Sequence, residues 1–555
     1  MSSVVLSSTK RALLEALKRG VSSGGPAISA IQKRPGHGPA PLSFAQQRLW
    51  FLHELEPSTS AYNMPAALRL VGRVDVDALE QGLSEIIRRH ESLRTNFRTE
   101  QGEAVQIVAP AGPIGLRFVS LSEKTMIDAV SRLESEEAQR AFDLEQGFVF
   151  RATLVTLRED ESILLLTVHH IACDGWSLGL LTGDLCSLYE SFIKGEPSSL
   201  PELTIQYADF AMWQRDWLRG EVLEERLSYW KQQLADAPPL IELPLDHSRP
   251  GEQSFRGSTL EVRLSARLST RLKAMSQHEG ATLFMCLLAG FQVLLYRYEG
   301  HPDIVVGSPI ANRNHPDIEQ LIGFFVNSLV LRTDLSQNPS FREVIARVKN
   351  VALDAYAHQD LPFERLVEEM HPDRSVSYNP LIQVLFALQN APAGRFELPG
   401  LMIRSDKIDF NSTRFDLELH LYDLADEGLS GFISYSTDLF ERTTVERLAG
   451  HFSTFLEGIA ADADRDIADV DFLSKGELQQ LLVEWNDTAT HYPFDSGIDV
   501  LFEKQAERTP DAVAVVMGAE QLTYNDLNAR ANQLANYLKR AGIGLEDRVG
   551  LDSSR

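Results

Sequence analysis

The chain reads as a mixed α/β protein built of two consecutive lobes, on three grounds. Strand-like and helix-like segments alternate from Pro41 onward for more than four hundred residues, the pattern of layered α/β domains. An acidic, proline-bearing stretch at residues 235–252 interrupts the mixture, which then starts again, as expected of a crossover between lobes. Hydrophobic residues fill 44% of the 555 positions, enough to build real cores.

Taken in order, residues 11–19 are good helix formers with Leu13, Leu14 and Leu17 on one face. They form either a short helix that docks a partner protein or one that packs on its own chain. Residues 20–41 are rich in Gly, Ser and Pro and read as a linker. In the first lobe, apolar runs predict strands at 67–71, 104–108, 148–157 and 163–169, with a helix at 76–90. In the second, strands are expected at 259–264 and 303–309 and helices at 269–278, 282–298 and 341–358. The longest apolar stretch, 283–296, is interrupted by Gly290 and Gln292 and falls short of a membrane span, so it reads as a core helix. An acidic, small-residue stretch at 460–469 suits the end of a domain, and a fresh αβ pattern begins after Trp485-Asn486-Asp487-Thr488. The expected divisions are an N-terminal helix and tether at 1–40, a first lobe at 41–220, a second at 221–474, a linker at 475–497 and part of a further domain at 498–555.

Charge and cysteine content remove several function classes. With a net charge of −25 and no block of Lys and Arg to override it, the chain repels phosphate backbones and anionic lipid surfaces. Neither nucleic acid nor membrane is an expected partner. Cys173, Cys186 and Cys286 are too few for a disulfide framework and lack CxxC spacing. The first twenty residues lack the apolar core of a secretion signal, and a reducing cytoplasm is the expected compartment.

The most informative residues are His169-His170-Ile171-Ala172-Cys173-Asp174-Gly175, an HHxxxDG constellation. They follow the apolar run Ile163-Leu164-Leu165-Leu166-Thr167-Val168, so two imidazoles stand where a buried strand ends, with an acid and a glycine one short loop later. Alternation along a strand turns His169 and His170 to opposite faces. The pair lacks a third ligand at usual spacing, so no metal is expected. Cys173 is small and reads as core.

Six further motifs accompany it in order: Ser43-Phe44-Ala45-Gln46-Gln47-Arg48-Leu49-Trp50, Arg89-His90-Glu91-Ser92-Leu93-Arg94-Thr95-Asn96-Phe97, Tyr207-Ala208-Asp209-Phe210-Ala211-Met212-Trp213-Gln214, Ile322-Gly323-Phe324-Phe325-Val326-Asn327-Ser328, His358-Gln359-Asp360-Leu361-Pro362-Phe363-Glu364 and Tyr378-Asn379-Pro380-Leu381. From Leu42 to about Ser474 the chain thereby resembles a condensation domain of nonribosomal peptide synthetases. HHxxxDG alone occurs in other acyltransferases; seven motifs in one order are specific. The resemblance implies two chloramphenicol-acetyltransferase-like lobes in a V-shaped pseudodimer with a central tunnel, and donor and acceptor peptidyl carrier proteins at its opposite mouths. Substrates would ride on the phosphopantetheine of those separate carriers, with no cofactor bound by the chain itself. The implied reaction is attack of the acceptor's α-amine on the donor's thioester.

For that chemistry a histidine of near-neutral pKa handles the amine's proton. His170 is expected in this role, either as general base or as the group that orients the amine. Asp174 is expected to fix geometry through a salt bridge, which the family resemblance assigns to an arginine, here Arg89 or Arg94. Gly175 either permits a close approach or unusual backbone angle, with its N–H facing the developing oxyanion, or is a plain turn residue. His169 reads as a packed, hydrogen-bonded core histidine. Trp176, Ser308, Arg313, Asn327 and Ser328 are weaker candidates for the tunnel and pantetheine arm, and Tyr207, Trp213 and Trp217 for lobe packing.

Residues 498–552 resemble the beginning of an adenylation domain, including Leu522-Thr523-Tyr524-Asn525-Asp526-Leu527. That family's phosphate loop, substrate pocket and catalytic lysine would fall beyond Arg555, so no amino-acid activation is expected. With no carrier ahead of it, the donor is expected from another protein, an upstream synthetase or a polyketide synthase. Ala172 resembles the version that accepts a donor ending in a D-residue. A starter domain transferring a fatty or polyketide acyl group is the rival. An epimerisation domain fits poorly with a following adenylation segment, and a non-catalytic recruitment module fits poorly with an intact histidine motif.

Overall fold

The computed structural model describes residues 30–36, 38–121, 126–370, 375–389, 397–398, 400–406, 412–490 and 496–550. The helix expected at 11–19 lies outside them. The chain divides into two compact units, Met1–Ser474 and Lys475–Arg555.

The first half of the large unit runs β1 (Ala40–Pro41), α1 (Phe44–Leu55), β2 (Asn63–Val71), α2 (Val76–Arg89), β3 (Thr95–Glu100), β4 (Glu103–Val108), β5 (Arg117–Ser120), α3 (Met126–Gln139), β6 (Phe150–Arg158), β7 (Glu161–His169), α4 (Gly175–Ile193), α5 (Tyr207–Trp217) and α6 (Gly220–Gln233). The second runs β8 (Gly257–Leu264), α7 (Ala266–His278), α8 (Leu283–Glu299), β9 (Asp303–Ile310), β10 (Asn327–Asp334), α9 (Phe341–Ala357), α10 (Phe363–Met370), β11 (Val384–Gln389), β12 (Glu397–Leu398), β13 (Leu401–Asp406), β14 (Leu417–Asp423), β15 (Leu429–Ser436) and α11 (Arg442–Ala461). Two six-stranded sheets result, ordered β12-β13-β2-β7-β6-β5 and β10-β9-β11-β14-β15-β8.

Strand β7 shows how the first lobe is layered. Its Ile163 and Leu165 pack with Val155, Leu157 and the α3 residues Val130 and Leu133. Leu164, Leu166 and Val168 face the other way, onto Leu83, Ile86 and Ile87 of α2 and Leu181, Leu185 and Leu188 of α4. A strand covered on both faces needs an unbroken apolar run, hence the lack of alternation at 163–168. On α2, Asp75 caps the N-terminus by accepting the Ala78 N–H (3.0 Å), and Arg88 and Arg89 fill the last turn, where the helix dipole favours cations. The core of the second lobe gathers on α8, buried from 285 to 295 and packed with Phe452, Phe455 and Leu456 of α11.

Two features join the halves. Strands β12 and β13 follow β11 in sequence yet belong to the first sheet, where Met402 to Asp406 pair antiparallel with Val71 to Ala67 of β2. A division of the chain at 220 therefore separates β2 from its own neighbour. The connection between β9 and β10, residues 311–326, packs into the first lobe and brings Arg313 and Phe324 to the HHxxxDG loop.

The smaller unit carries α12 (Lys475–Gln479), a π turn at Gln480–Glu484, α13 (Ile498–Arg508), a hairpin of β16 (Val513–Met517) and β17 (Glu520–Thr523), and α14 (Tyr524–Arg540). Val516, Met517, Leu534 and Tyr537 are exposed, and Ala506 is the one fully buried apolar side chain among its described residues. No single helix among the described residues is long and apolar enough to cross a membrane.

Candidate active site

The end of β7 is held by backbone bonds on both sides: the His169 N–H donates to Val149 O (2.9 Å) and the His170 N–H to Tyr62 O (2.8 Å). The strand stops there, and His170–Ala172 form a 3-10 turn that leads through Cys173 to Asp174, the N-cap of α4. His169 Nδ1 accepts the Ile171 N–H (3.2 Å), which leaves its proton on Nε2. Its ring packs against Tyr62 and edge-on to Phe142. Burial pushes the His169 pKa down to about 3.

His170 is also buried, and its Nδ1 has no hydrogen-bond partner among the described residues. Its ring centroid lies 4.6 Å from that of Phe324. Burial, then the positive charge of Arg414, bring its pKa down to about 4, against an opposing pull from Asp174. Near neutral pH the imidazole is therefore uncharged and can accept a proton or a hydrogen bond. Burial raises the Cys173 thiol well above its ordinary value, so it carries no thiolate for nucleophilic work.

Asp174 accepts from Ser177 N (2.8 Å), Arg313 Nη2 (3.2 Å) and Phe325 N (3.0 Å). Arg313 also donates to Ser177 Oγ (2.7 Å), Ile318 O (2.6 Å) and Leu321 O (2.8 Å), and stacks over Phe325. Both members of this ion pair are buried, so losing one partner would cost about 3–5 kcal/mol. The expected pairing of Asp174 with Arg89 or Arg94 is thus replaced by Arg313. Arg89, at the end of α2, is spent on Asp184 (3.5 Å) and the Pro201 carbonyl. Arg94 is spent on the carbonyls of Ile87 and Ala109 and on Glu91.

The β9–β10 connection meets the first lobe through its main chain. Ile322 N–H donates to His90 Nδ1 (3.3 Å), and Ser92 Oγ donates to Ile322 O (2.7 Å). Ser177 Oγ bonds both the N–H and the carbonyl of Gly323, at 3.1 and 3.0 Å. Tyr207 donates its hydroxyl to Phe324 O (2.6 Å) and shares a bond with Ser43 Oγ (2.9 Å). Gln46 Nε2 closes the ring on Ile171 O (3.3 Å). Side chains from three separate motifs therefore satisfy one foreign backbone segment, which a buried loop requires.

The remaining sequence candidates sort by geometry. Gly175 has no left-handed φ, and a Cβ there would meet nothing within 4 Å; the unusual backbone angle is absent, and open space remains beside the loop. Trp176 is half-exposed, its indole N–H on Glu319 O (3.3 Å). Asn327 does not offer its amide to a tunnel: Nδ2 donates to Gln359 O (2.9 Å) and Leu361 O (2.8 Å), while Oδ1 accepts from Ser328 N and Phe363 N. Ser308 is buried in β9, and Ser328 pairs with Pro309 across β10. Trp213 and Trp217 stack at 5.4 Å. Tyr62, Phe324 and Arg414, which surround His170, escape sequence reasoning as site residues; Phe324 lies within a recognised motif, whereas nothing local marks the other two.

Residues 37–482 match the condensation-domain family, and residues 502–555 match the AMP-binding enzyme family. The chain belongs to the condensation-domain family. It is similar to a linear gramicidin synthase of Brevibacillus parabrevis, 50% identical over 518 residues that cover 92% of this chain and 10% of that protein. It is 44% identical to malpinin synthetase of Mortierella alpina over 514 residues, 92% of this chain and 7% of that one. The chain thus spans about a tenth of the length of the curated relatives it matches. Among solved structures it resembles the X-domain of teicoplanin biosynthesis in complex with OxyB, with TM-score 0.74, 31% identity and coverage of 81% of this chain and 100% of that one. A four-domain nonribosomal peptide synthetase bound to AMP and glycine shares the fold, with TM-score 0.79 at 23% identity over 91% of this chain and 39% of the other. The two mixed lobes are of the chloramphenicol-acetyltransferase-like class that such condensation domains adopt. Condensation domains of peptide synthetases form amide bonds by acyl transfer from carrier-bound substrates, which makes this chain an amide-forming enzyme.

Proposed function

We propose that this condensation domain joins a donor peptidyl or aminoacyl thioester on one carrier protein to the α-amine of an aminoacyl group on a second, with His170 as the acceptor of the amine's hydrogen bond. The supporting observation is the buried, uncharged His170 at the end of β7, packed against Phe324 where the two halves meet. An α-ammonium with a pKa of about 8 lies about four pH units above an imidazole at about 4. An imidazole whose pKa is lowered by burial is a weak base for a free ammonium. His170 accordingly orients an amine that is already neutral, and takes its proton only as the C–N bond forms and the N–H becomes acidic. The Gly175 N–H, at the first turn of α4 beside open space, is the proposed donor to the oxyanion.

An amino-acid donor fits better than a fatty acyl starter. The chain's similarity to a linear gramicidin synthase and to a dimodular nonribosomal peptide synthase favours that donor. We further propose a D-configured donor terminus, on the presence of Ala172 in the motif. Ala172 is packed with Trp50 and Phe97, so its influence runs through the position of the loop. The proposed divisions remain a first lobe at 41–220, a second at 221–474 and an adenylation segment from 498, with carriers and an upstream synthetase as partners. Intact-protein mass spectrometry with D-terminal, L-terminal and fatty acyl donors tests these readings. Product from the D-terminal donor is expected; preferential use of the fatty acyl donor would establish the starter reading, and no product from any donor the recruitment one.

A further inference from the structure

One charged side chain near His170 has no part in the network described above. Arg414 lies just before β14, in a segment anchored by the isolated bridge between Arg256 and Ser412 and by Asn379, whose amide donates to the Arg414 carbonyl. Its guanidinium stands 5.9 Å over the ring of Tyr62, the residue whose carbonyl accepts the His170 N–H. The cation thus comes from the second half of the chain and the ring from the first, and its charge acts on His170. No carboxylate among the described residues stands within ion-pair distance of it. Its charge reaches Glu418, which is hydrogen-bonded to Thr413 and His420. A half-buried guanidinium with no carboxylate in ion-pair contact among the described residues is placed to meet a negative charge that arrives with the reaction.

The reaction supplies one. When the amine nitrogen bonds to the thioester carbon, the carbonyl π pair moves to oxygen. When the intermediate collapses, the C–S bond breaks, the sulfur leaves with its pair, and the proton lost by nitrogen ends on the thiol. Negative charge exists on the former carbonyl oxygen only between these two events, where a fixed cation in a low-dielectric site favours the transition state over the substrate. We propose that Arg414 is a second catalytic side chain, which bears the negative charge that develops on the donor carbonyl oxygen as the acceptor amine adds. This rests on the amide-forming reading above. It also gives the site a division of labour: the first lobe contributes the hydrogen-bond acceptor and the second the charge.

The groups that face His170 are Arg414, which lowers its pKa, Asp174, which raises it, and the neutral His169 and Cys173. Loss of the Arg414 charge therefore moves His170 upward, while burial, the larger cause of its lowered value, remains. Single-turnover rates between loaded carriers, read by intact-protein mass from about pH 5 to about pH 8, separate this role from a structural one. Wild type, Arg414→Lys, Arg414→Gln and His170→Ala are compared, each with its unfolding midpoint. Arg414→Gln is expected to lose on the order of 100-fold at the plateau and to show an acid limb displaced to higher pH than in wild type. Arg414→Lys is expected to stay within about tenfold of wild type, without that displacement. Wild-type rate and pH profile in Arg414→Gln, or equal damage in Arg414→Lys, overturns the proposal. Should the Gln variant not fold, the Lys variant decides alone, because retained rate supports a charge role and lost rate refutes it. Absence of product from wild type would instead overturn the amide-forming reading on which this rests.

Discussion

His169 and His170 occupy adjacent positions and differ in what they lack. His169 has a hydrogen bond through Nδ1 and two aromatic neighbours, while His170 keeps Nδ1 unpartnered against Phe324. Both are neutral when folded, with pKa values near 3 and 4, whereas an unfolded imidazole titrates near 6.5. Between those values the unfolded chain binds more protons, so stability falls as pH falls below about 6.5 and is unaffected by these groups above about 7.5. His170 alone contributes a loss of about 3 kcal/mol by pH 4. Urea midpoints should fall from pH 7 to about pH 5 in wild type, and by less in His170→Gln; a pH-independent difference between the two proteins would contradict a buried neutral imidazole. The pair at the strand's end was readable from the sequence, because an apolar run followed by two histidines is a local signal. The Arg313 partner of Asp174 was not, because it lies 139 residues away in sequence and only the folded contact distinguishes it from Arg89 and Arg94.

At the scale of elements, long runs were legible and imported pieces were not. The strand at 163–169 and helix at 76–90 appear as Glu161–His169 and Val76–Arg89, since burial on two faces and on one face leave distinct periodicities. Strand β13, Leu-Met-Ile-Arg-Ser-Asp, is short and carries no such pattern; its place beside β2 comes from tertiary pairing alone. The connection at 311–326 is the other imported piece, and Gly323 explains how it fits. A Cβ at this position would stand 2.1 Å from Cδ2 of Tyr207, whose hydroxyl fixes the Phe324 carbonyl. Gly323→Ala should therefore push the segment off Tyr207, with a stability loss of about 1–3 kcal/mol and a fall in condensation rate as Phe324 leaves His170. Thermal unfolding and single-turnover rates check this together, and a variant with wild-type stability would contradict the close packing.

Across the whole unit Met1–Ser474, the second half lends structure to the first: it gives β12 and β13 to the first sheet and lays 311–326 on the HHxxxDG loop. The first lobe's sheet cannot open without breaking contacts made by the second half of the chain, so calorimetry should record one cooperative transition for this unit; two separated transitions assigned to residues 41–220 and 221–474 would contradict that coupling. The same coupling places chemistry at the junction, with the imidazole from one half and Phe324, Arg313 and Arg414 from the other. The most direct measurement is the single-turnover condensation of a donor-loaded with an acceptor-loaded carrier, followed by intact-protein mass, for wild type and His170→Ala. Wild type should transfer the donor's mass to the acceptor carrier, and His170→Ala should do so about 100 to 10,000 times more slowly while unfolding at the same temperature. Equal rates in the two proteins would remove His170, and with it the proposed site, from the reaction.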